Sequence, residues 1–336
     1  MKVHRELVGS LPDFNNAVVT IGTFDGVHIG HQKIIAQLKE EAARINGETV
    51  IITFHPHPRK IVSSVPGDIK LINTLAEKIN LLEKAGVDHL VIVPFDHVFA
   101  SLSAEAYIND FLFKFFHPKI VIIGYDHRFR FGKGRVGNYA LLEQRGKELG
   151  FEVKEISEEL MNEVGISSTK IRKAILENEI ELANDFLGYA YFFEGLVIEG
   201  NKLGRTIGYP TANLHIGTEE KLIPGNGVYA VLIELLPDQK NQVTINQDTK
   251  NQDDPNALTG KLFKGMMNIG IRPTVDGKKR VIEVNIFDFD ETIYDRTLVI
   301  SIIHYLRGEV KFNGLDELKL QLKADKEQAS KLLNED

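Results

Sequence analysis

Cysteine is missing altogether from these 336 residues. That excludes disulfides and all cysteine-based zinc, iron–sulfur or thiol chemistry, and it fits a cytoplasmic protein. No apolar run approaches the roughly 18–20 residues that span a bilayer. The opening, "MKVHRELVGSLPDF", also lacks the apolar stretch of a secretory leader. Positive charge is not in excess: 40 Lys and Arg stand against 47 Asp and Glu, a formal net charge of -7. Nonspecific binding to nucleic acid or a membrane surface therefore has no electrostatic footing. The remaining composition, 43% hydrophobic and 26% charged, is ordinary for a globular chain, and the length asks for two domains. A small-molecule enzyme is the expected class.

What is present alternates. Short apolar runs at 17–22, 49–54, 89–95, 119–124 and 151–156 read as strands, with helix-period segments between them. Ile34, Ile35, Leu38, Ala42 and Ile45 share one helix face, as do Leu75, Ile79 and Leu82; 103–116 and 138–150 supply two more helices. This is the pattern of a parallel sheet covered by helices on both sides, with ligands at the carboxyl ends of the strands. After two helices at about 168–178 and 180–187 the texture changes. Runs at 191–199, 212–216, 227–235, 262–269, 280–288 and 298–305 predict an antiparallel sheet or small barrel. A closing helix follows at 315–333, with Leu315, Leu318, Leu322 and Ala329 on one stripe. The polar stretch 237–260 is expected to be a mobile loop. No internal repeat is visible. The domain boundary is expected near 183–189, dividing the chain into 1–184 and 185–336.

Several motifs carry chemistry. "IGTFDGVHIGHQKII" (21–35) sets His28 and His31 among glycines, where a strand gives way to a helix. Gly26 and Gly30 let the backbone approach a ligand, and the helix beginning near His31 aims its positive end at the same space. Phosphate oxygens suit that setting, with imidazoles as donors. A metal would need further ligands and the "HExxH" spacing is absent; an ordinary turn is the remaining alternative. "ISSTKIR" (166–172) offers Ser167, Ser168 and Thr169 at a helix start with Lys170 and Arg172 nearby, either a phosphate-binding set or a plain N-cap. "TFHPHP" (53–58) is a rigid, partly aromatic wall suited to a flat ring, or else a turn with His55 and His57 exposed. "GYDHRFRFGKGRVGN" (124–138) brings Arg128, Arg130, Lys133 and Arg135 to the end of a strand, favouring a phosphate or ring site over the usual solvated loop.

In the second half, "GNKLGRTIGYPTANL" (200–214) puts Thr211 and Asn213 two apart, facing one way in an extended segment. Their oxygens are hard ligands fit for Mg²⁺ carrying ATP phosphates, and Gly200, Gly204 and Gly208 let the backbone wrap those phosphates. A Pro-Thr turn accounts for "PTAN" taken alone. "FDFDETIYD" (287–295), with Asp288, Asp290 and Glu291, reads first as a hairpin turn.

Taken in order, the four motifs of the first half resemble the adenylyltransferase half of the bifunctional bacterial riboflavin kinase/FAD synthetases. The glycine-rich arch with "GYPTAN", then "GVYAV" (227–231), "MNIGIRPTV" (267–275), "VIEVNIFDF" (281–289) and the helix at 312–329, resemble their kinase half. The resemblance covers nearly the whole chain apart from 237–260. It implies an α/β plus all-β architecture: a Rossmann-like nucleotidyltransferase domain, then a small antiparallel β-barrel with a closing helix. It implies phosphorylation of riboflavin to FMN by ATP, then adenylylation of FMN to FAD with release of pyrophosphate, with Mg²⁺ required.

The same resemblance implies roles residue by residue. His28 and His31 would stabilise charge growing on the phosphates. Gly22, Phe24, Asp25, Gly30, Ser167, Ser168, Thr169 and Arg172 would surround the ATP of the first half. Phe54, Pro56, His57, Pro58 and Asp126 would line the flavin, Asp126 lying by the flavin or the adenine. In the second half Gly200, Lys202, Gly204 and Arg205 would meet phosphates, with Thr211 and Asn213 at the metal and Glu283 as general base on the riboflavin hydroxyl. One departure stands out: the family commonly has His two residues after this Glu, and here it is Asn285. The literal "HIGH" with "SSTK" also resembles class I aminoacyl-tRNA synthetases, which need a tRNA-binding module. Residues 1–184 hold 22 Lys and Arg against 24 Asp and Glu, which gives no basic surface for one. A non-catalytic flavin-binding protein is the other alternative, and intact His28, His31, Thr211, Asn213 and Glu283 argue against it. No nucleic-acid or membrane partner is expected, and nothing indicates an oligomer.

Overall fold

The computed structural model describes residues 1–7, 11–62, 69–124, 137–156, 165–200, 203–237, 260–274 and 277–335. The chain divides into two compact units, Met1–Lys170 and Ile171–Asp336.

In the first unit six strands form one sheet: β1 (Lys2–His4), β2 (Val18–Ile21), β3 (Thr49–His55), β4 (His89–Pro94), β5 (Ile120–Gly124) and β6 (Glu152–Ile156). Their order is β1-β4-β3-β2-β5-β6, and every pairing is parallel. The central strands are apolar at successive positions because both faces are covered. Val19, Ile21, Val50, Ile52 and Val121 join one core; Val18, Ile51, Leu90 and Ile122 join the other. Helix Ile29–Ile45 lays Ile34, Ile35, Leu38 and Ala42 on the second core, while Tyr107, Ile108, Phe111 and Leu112 cover the first. The five strands expected here are all present. β1 is an addition, three residues at the sheet edge and too short to show alternation. The helix expected over 103–116 is present too, but its middle, Tyr107–Phe113, is wound as a π-helix.

From β2 the chain steps to β3 and β4 on one side, then returns to β5 and β6 on the other. The order therefore reverses between β2 and β5. At such a reversal the connections leave in opposite directions and open a crevice at the carboxyl ends of the strands.

The second unit is a closed antiparallel barrel of β7 (Phe192–Ile198), β8 (Ala212–His215), β9 (Gly227–Leu235), β10 (Leu262–Thr274), β11 (Gly277–Ile286) and β12 (Thr297–Arg307). The ring runs β10-β11-β8-β7-β12-β9. Val231, Ile233 and Leu235 of β9 and Leu298, Ile300 and Ile302 of β12 are buried at the two-residue period of a strand. All six strands fall where the apolar runs predict them. The hairpin expected at 287–295 is not one: β11 pairs with β10 and β8, whereas β12 pairs with β7 and β9. Asp288 and Asp295, at φ 52 and 60, do turn the chain locally, but the segment crosses between strands that are not neighbours.

The closing helix, Leu315–Glu335, buries Ala329 and Leu333 against Ala230, Met266 and Phe287. Its expected stripe engages only in part. Leu315 is 53% exposed, because the covering residues of the barrel meet the second half of the helix. There Asp325, 1% exposed, takes Nε and Nη2 of Arg307 at 2.8 and 2.6 Å.

The division between the units falls after Lys170, ahead of the expected 183–189. Helix Ile180–Leu187 belongs with the barrel for a visible reason. Asn184 donates to the Ile302 carbonyl at 3.0 Å and accepts from the Tyr191 N–H at 2.7 Å, and Glu181 meets His304 at 2.9 Å. The polar stretch expected to be a mobile loop lies, but for its end residues, outside the described residues.

Candidate active sites

The first site begins where β2 stops. The Gly22 N–H still bonds to the Ile52 carbonyl at 3.0 Å, and the chain then turns sharply. Phe24, Gly26 and Val27 have φ of 47, 95 and 37, in the left-handed region. A β-branched residue there is an outlier, so the surroundings must hold this turn in shape. His28 follows in an extended conformation as the N-cap of the 17-residue helix Ile29–Ile45, whose first turn has no acidic residue. The positive end of the helix is thus unopposed locally. The His28 and His31 rings stack at 3.8 Å between centroids, and His31 also packs on Phe24 at 4.9 Å. Both histidines are buried, at 5% and 7% exposed, and Gly30 is buried beside them.

Phe24 and Asp25 are placed differently from what side-chain ligation would require. Phe24 is 1% exposed and packs in the core. The Asp25 carboxylate, also 1% exposed, accepts from the backbone N–H groups of Ile72 at 3.0 Å and Asn73 at 3.3 Å. These two residues shape the turn; what they could offer a phosphate is backbone.

The structure brings "ISSTKIR" to this turn. The Ser168 hydroxyl donates to the Asp25 carbonyl at 3.0 Å across a sequence separation of 143 residues. The Ser167 hydroxyl accepts from the Lys170 N–H at 3.3 Å, so the plain N-cap reading holds for Ser167 as well. Thr169 is exposed, and Arg172, half-buried, follows Ser168 by one helical turn, beyond the division between the units.

At the ends of β3 and β4, Phe54 meets Phe95 at 5.4 Å and Phe99 at 5.6 Å. All three rings are half-buried, as are Pro56 and Pro58. His55 is exposed, but His57 is buried, its Nδ1 accepting from the Arg59 N–H at 3.2 Å. A turn with both histidines exposed is therefore excluded. Phe95 and Phe99 were missed by the sequence reading, although "PFDHVF" (94–99) carries them straight after an apolar run. Asp126 and the basic residues Arg128, Arg130, Lys133 and Arg135 lie outside the described residues, as does Lys202 of the second site.

The second site lies on the pleat of the barrel. Asn213 of β8 is the register partner of Glu283 of β11, and Glu283 is in turn the partner of Asn268 of β10. Residues paired this way project on the same side of a sheet. Asn213, Glu283 and Asn268 therefore form a row across three strands. A Cβ at Gly200 would stand 2.0 Å from Asn213 Nδ2, so the missing side chain is what makes room for the amide. At Gly204, in the helical turn Leu203–Thr206, a Cβ would meet the Tyr209 carbonyl at 2.2 Å and Thr211 Oγ1 at 3.4 Å. Gly208, at φ 84, faces open space; it serves the turn rather than a close approach. Thr211 and Arg205 are exposed.

Asn285 has a defined job. It is 6% exposed and donates to the Pro210 carbonyl at 2.7 Å, holding the residue that precedes Thr211. Glu283 accepts from Arg272 Nη2 through Oε2. Asn268 and Arg272 went unnoticed in the sequence, yet both alternate with apolar residues in "MNIGIR" (267–272), the signature of an outward strand face. The residues present fit a magnesium ion delivered with a triphosphate. Thr211 and Asn213 offer neutral hard oxygens beside one carboxylate, and the described residues hold no group of three or more His, Asp or Glu able to bind a metal unaided.

The family model for FAD synthetase matches residues 11–170, and that for riboflavin kinase matches residues 187–333. The bifunctional riboflavin kinase/FMN adenylyltransferase of Haemophilus influenzae is 35% identical over 334 residues, 99% of this chain and 100% of that one. Its counterpart in Escherichia coli K12 is 36% identical over 308 residues, 92% and 90% of the two chains. A crystal structure from Streptococcus pneumoniae, named macrolide-efflux protein, superposes with a TM-score of 0.79 and 30% identity over 98% of each chain. No described helix here is long and apolar enough to cross a membrane.

Proposed function

The chain belongs to the bifunctional riboflavin kinase/FMN adenylyltransferase family, and from that premise we propose which residues carry each of its two reactions. It phosphorylates riboflavin to FMN with ATP and adenylylates FMN to FAD, releasing pyrophosphate. We assign the adenylyl transfer to the first unit and the kinase to the barrel.

In the first unit the FMN phosphate is itself the nucleophile on the α-phosphorus of ATP, so no protein nucleophile is needed. What remains is to stabilise charge growing on the phosphates. His28, His31, the Gly30 backbone and the helix end beneath them do that, with Ser168 beside them and Arg172 further along its helix. Gly22, Phe24 and Asp25 contribute backbone and shape, Ser167 and Thr169 the start of the second helix. The flavin lies against Phe54, Pro56, His57 and Pro58, with Asp126 near it.

In the barrel, Gly200, Lys202, Gly204 and Arg205 surround the ATP phosphates, and Thr211 and Asn213 hold Mg²⁺. Held there by Thr211 and Asn213, Mg²⁺ would supply positive charge to offset that of the ATP phosphates. Glu283 takes the proton of the riboflavin hydroxyl. Arg272 occupies Oε2, which leaves Oε1 for that proton. The observation that carries the kinase assignment is the cross-strand pairing of Asn213 with Glu283, which joins two motifs 70 positions apart into one row. The absence of cysteine and the net charge of -7 support a cytoplasmic enzyme without a nucleic-acid partner.

The test follows FMN and FAD chromatographically in purified protein given riboflavin, ATP and Mg²⁺. His31→Ala abolishes FAD formation and leaves FMN formation nearly intact. Glu283→Gln lowers FMN formation by about 10²–10⁴-fold and leaves FAD formation from supplied FMN unchanged. Loss of both activities from either single change, in a folded protein, overturns the assignment.

A further inference from the structure

Lys78 is a cation in an unusual place. It sits on helix Leu75–Lys84, yet is only 7% exposed. Lysines on such helices normally face water, and an ammonium taken out of water costs several kcal/mol unless well partnered. Its Nζ donates to the Thr23 carbonyl at 2.6 Å and reaches Thr53 Oγ1 at 3.5 Å. Thr53 Oγ1 donates to the same Thr23 carbonyl at 3.1 Å. Thr23 is the residue from which the left-handed turn Phe24–Val27 departs.

Two non-glycine residues in that turn hold a strained, left-handed backbone, and such a conformation lasts only where neighbours over-determine it. Several bonds do so. Lys78 and Thr53 hold Thr23, Ile72 and Asn73 hold the Asp25 carboxylate, and Ser168 holds the Asp25 carbonyl. Lys78 is the cation among them. Thr74 and Glu77 close a capping box at the start of its helix, which fixes the stem from which it reaches.

We infer that Lys78 is a positioning residue for adenylyl transfer: by fixing the Thr23 carbonyl it sets the backbone that carries His28 and His31 to the phosphates. The inference rests on the reading of this unit as the adenylyl-transfer site. Burial brings the ammonium down to about 8, while the negative charge of Asp25 acts in the opposite direction. Of the groups around it, Asp25 from the turn is charged and Thr23 and Thr53 are neutral; Glu77, next to it on its own helix, is engaged with Thr74. The cation is present below its pKa and lost above it, so its contribution disappears as pH rises through about 8.

The test uses the full chain, with FMN formation in the barrel as internal standard. Lys78→Ala lowers kcat for FAD formation on the order of a hundredfold, the size expected for a misplaced site. KM for ATP and FMN stays within about threefold, as it does when an interaction serves the transition state alone. Ethylammonium restores part of the rate in Lys78→Ala, and ethanol of similar size does not. In the unaltered protein, kcat for FAD formation falls through pH 8 while FMN formation does not. Equal loss of both activities, equal rescue by the alcohol, or a profile flat through that pH overturns the inference. His31→Ala separates this failure from that of the site. If it abolishes FAD formation while Lys78→Ala does not, only the inference falls; if it too leaves FAD formation intact, the site reading falls.

Discussion

The two proposed sites are built by opposite means. In the parallel sheet the site is buried and made largely of backbone: a left-handed turn, a helix end, and two stacked histidines no more than 7% exposed. In the barrel the site is open and made of side chains, with Thr211 exposed and Asn213 and Glu283 side by side on the pleat. The reversal between β2 and β5 supplies a crevice where loops converge, and in the proposed site it is their N–H groups that face the phosphates. A closed barrel has no such crevice. Ligands must be spaced by the two-residue period of its strands, and glycines clear the room above them. Damage should follow suit: position and charge matter in the first site, steric clearance in the second.

The sharpest way to break this contrast is through the two barrel glycines. At Gly204 an added Cβ would press on the backbone carbonyl of Tyr209, so Gly204→Ala lowers stability by about 1–3 kcal/mol and sharply reduces FMN formation. At Gly200 the clash is with the movable amide of Asn213. Gly200→Ala displaces that amide and lowers FMN formation by about tenfold, with an unchanged denaturant midpoint. Steady-state rates measured beside urea unfolding check both. If Gly200→Ala keeps its activity, Asn213 is not where the metal is held.

A smaller effect sharpens the first site. Asp25→Asn keeps an oxygen for the Ile72 and Asn73 N–H groups but removes the charge that raises the pKa of Lys78. That pKa falls, so the alkaline decline in FAD formation moves to lower pH, while FMN formation keeps its profile. A pH series of both rates reads the shift. Smallest of all, Asn285→Ala removes one bond to the Pro210 carbonyl, about 0.5–1.5 kcal/mol, and FMN formation drops a few-fold. Asn285→His, given the same assay, shows whether the imidazole common in the family can replace that bond.

Much of this was legible in the sequence. The apolar runs gave eleven of the twelve strands among the described residues, because period and length speak plainly wherever a strand is buried. β1 escaped since three edge residues carry no pattern, and the hairpin at 287–295 misled because turn residues report a bend and not which strands it joins. Among site residues, the histidines, Thr211, Asn213 and Glu283 stood in motifs. What could not be read was depth. Nothing local marks Lys78 as buried or Asp25 as turned inward, because both depend on partners about 50 residues away. Phe95, Phe99, Asn268 and Arg272 were hidden for the same reason: a ring against Phe54 or a row across strands exists only after folding.

The ladder between β9 and β10 has one more consequence. These strands are antiparallel neighbours, and their pairing runs out at Glu234 and Leu262. Whatever joins them leaves and re-enters the barrel at one spot, so its length is independent of the register that aligns Asn268 with Glu283. Doubling such a connection changes closure entropy by only about 0.6 kcal/mol. Shortening or replacing that joint is therefore expected to leave the register of Asn268 and Glu283 as it is.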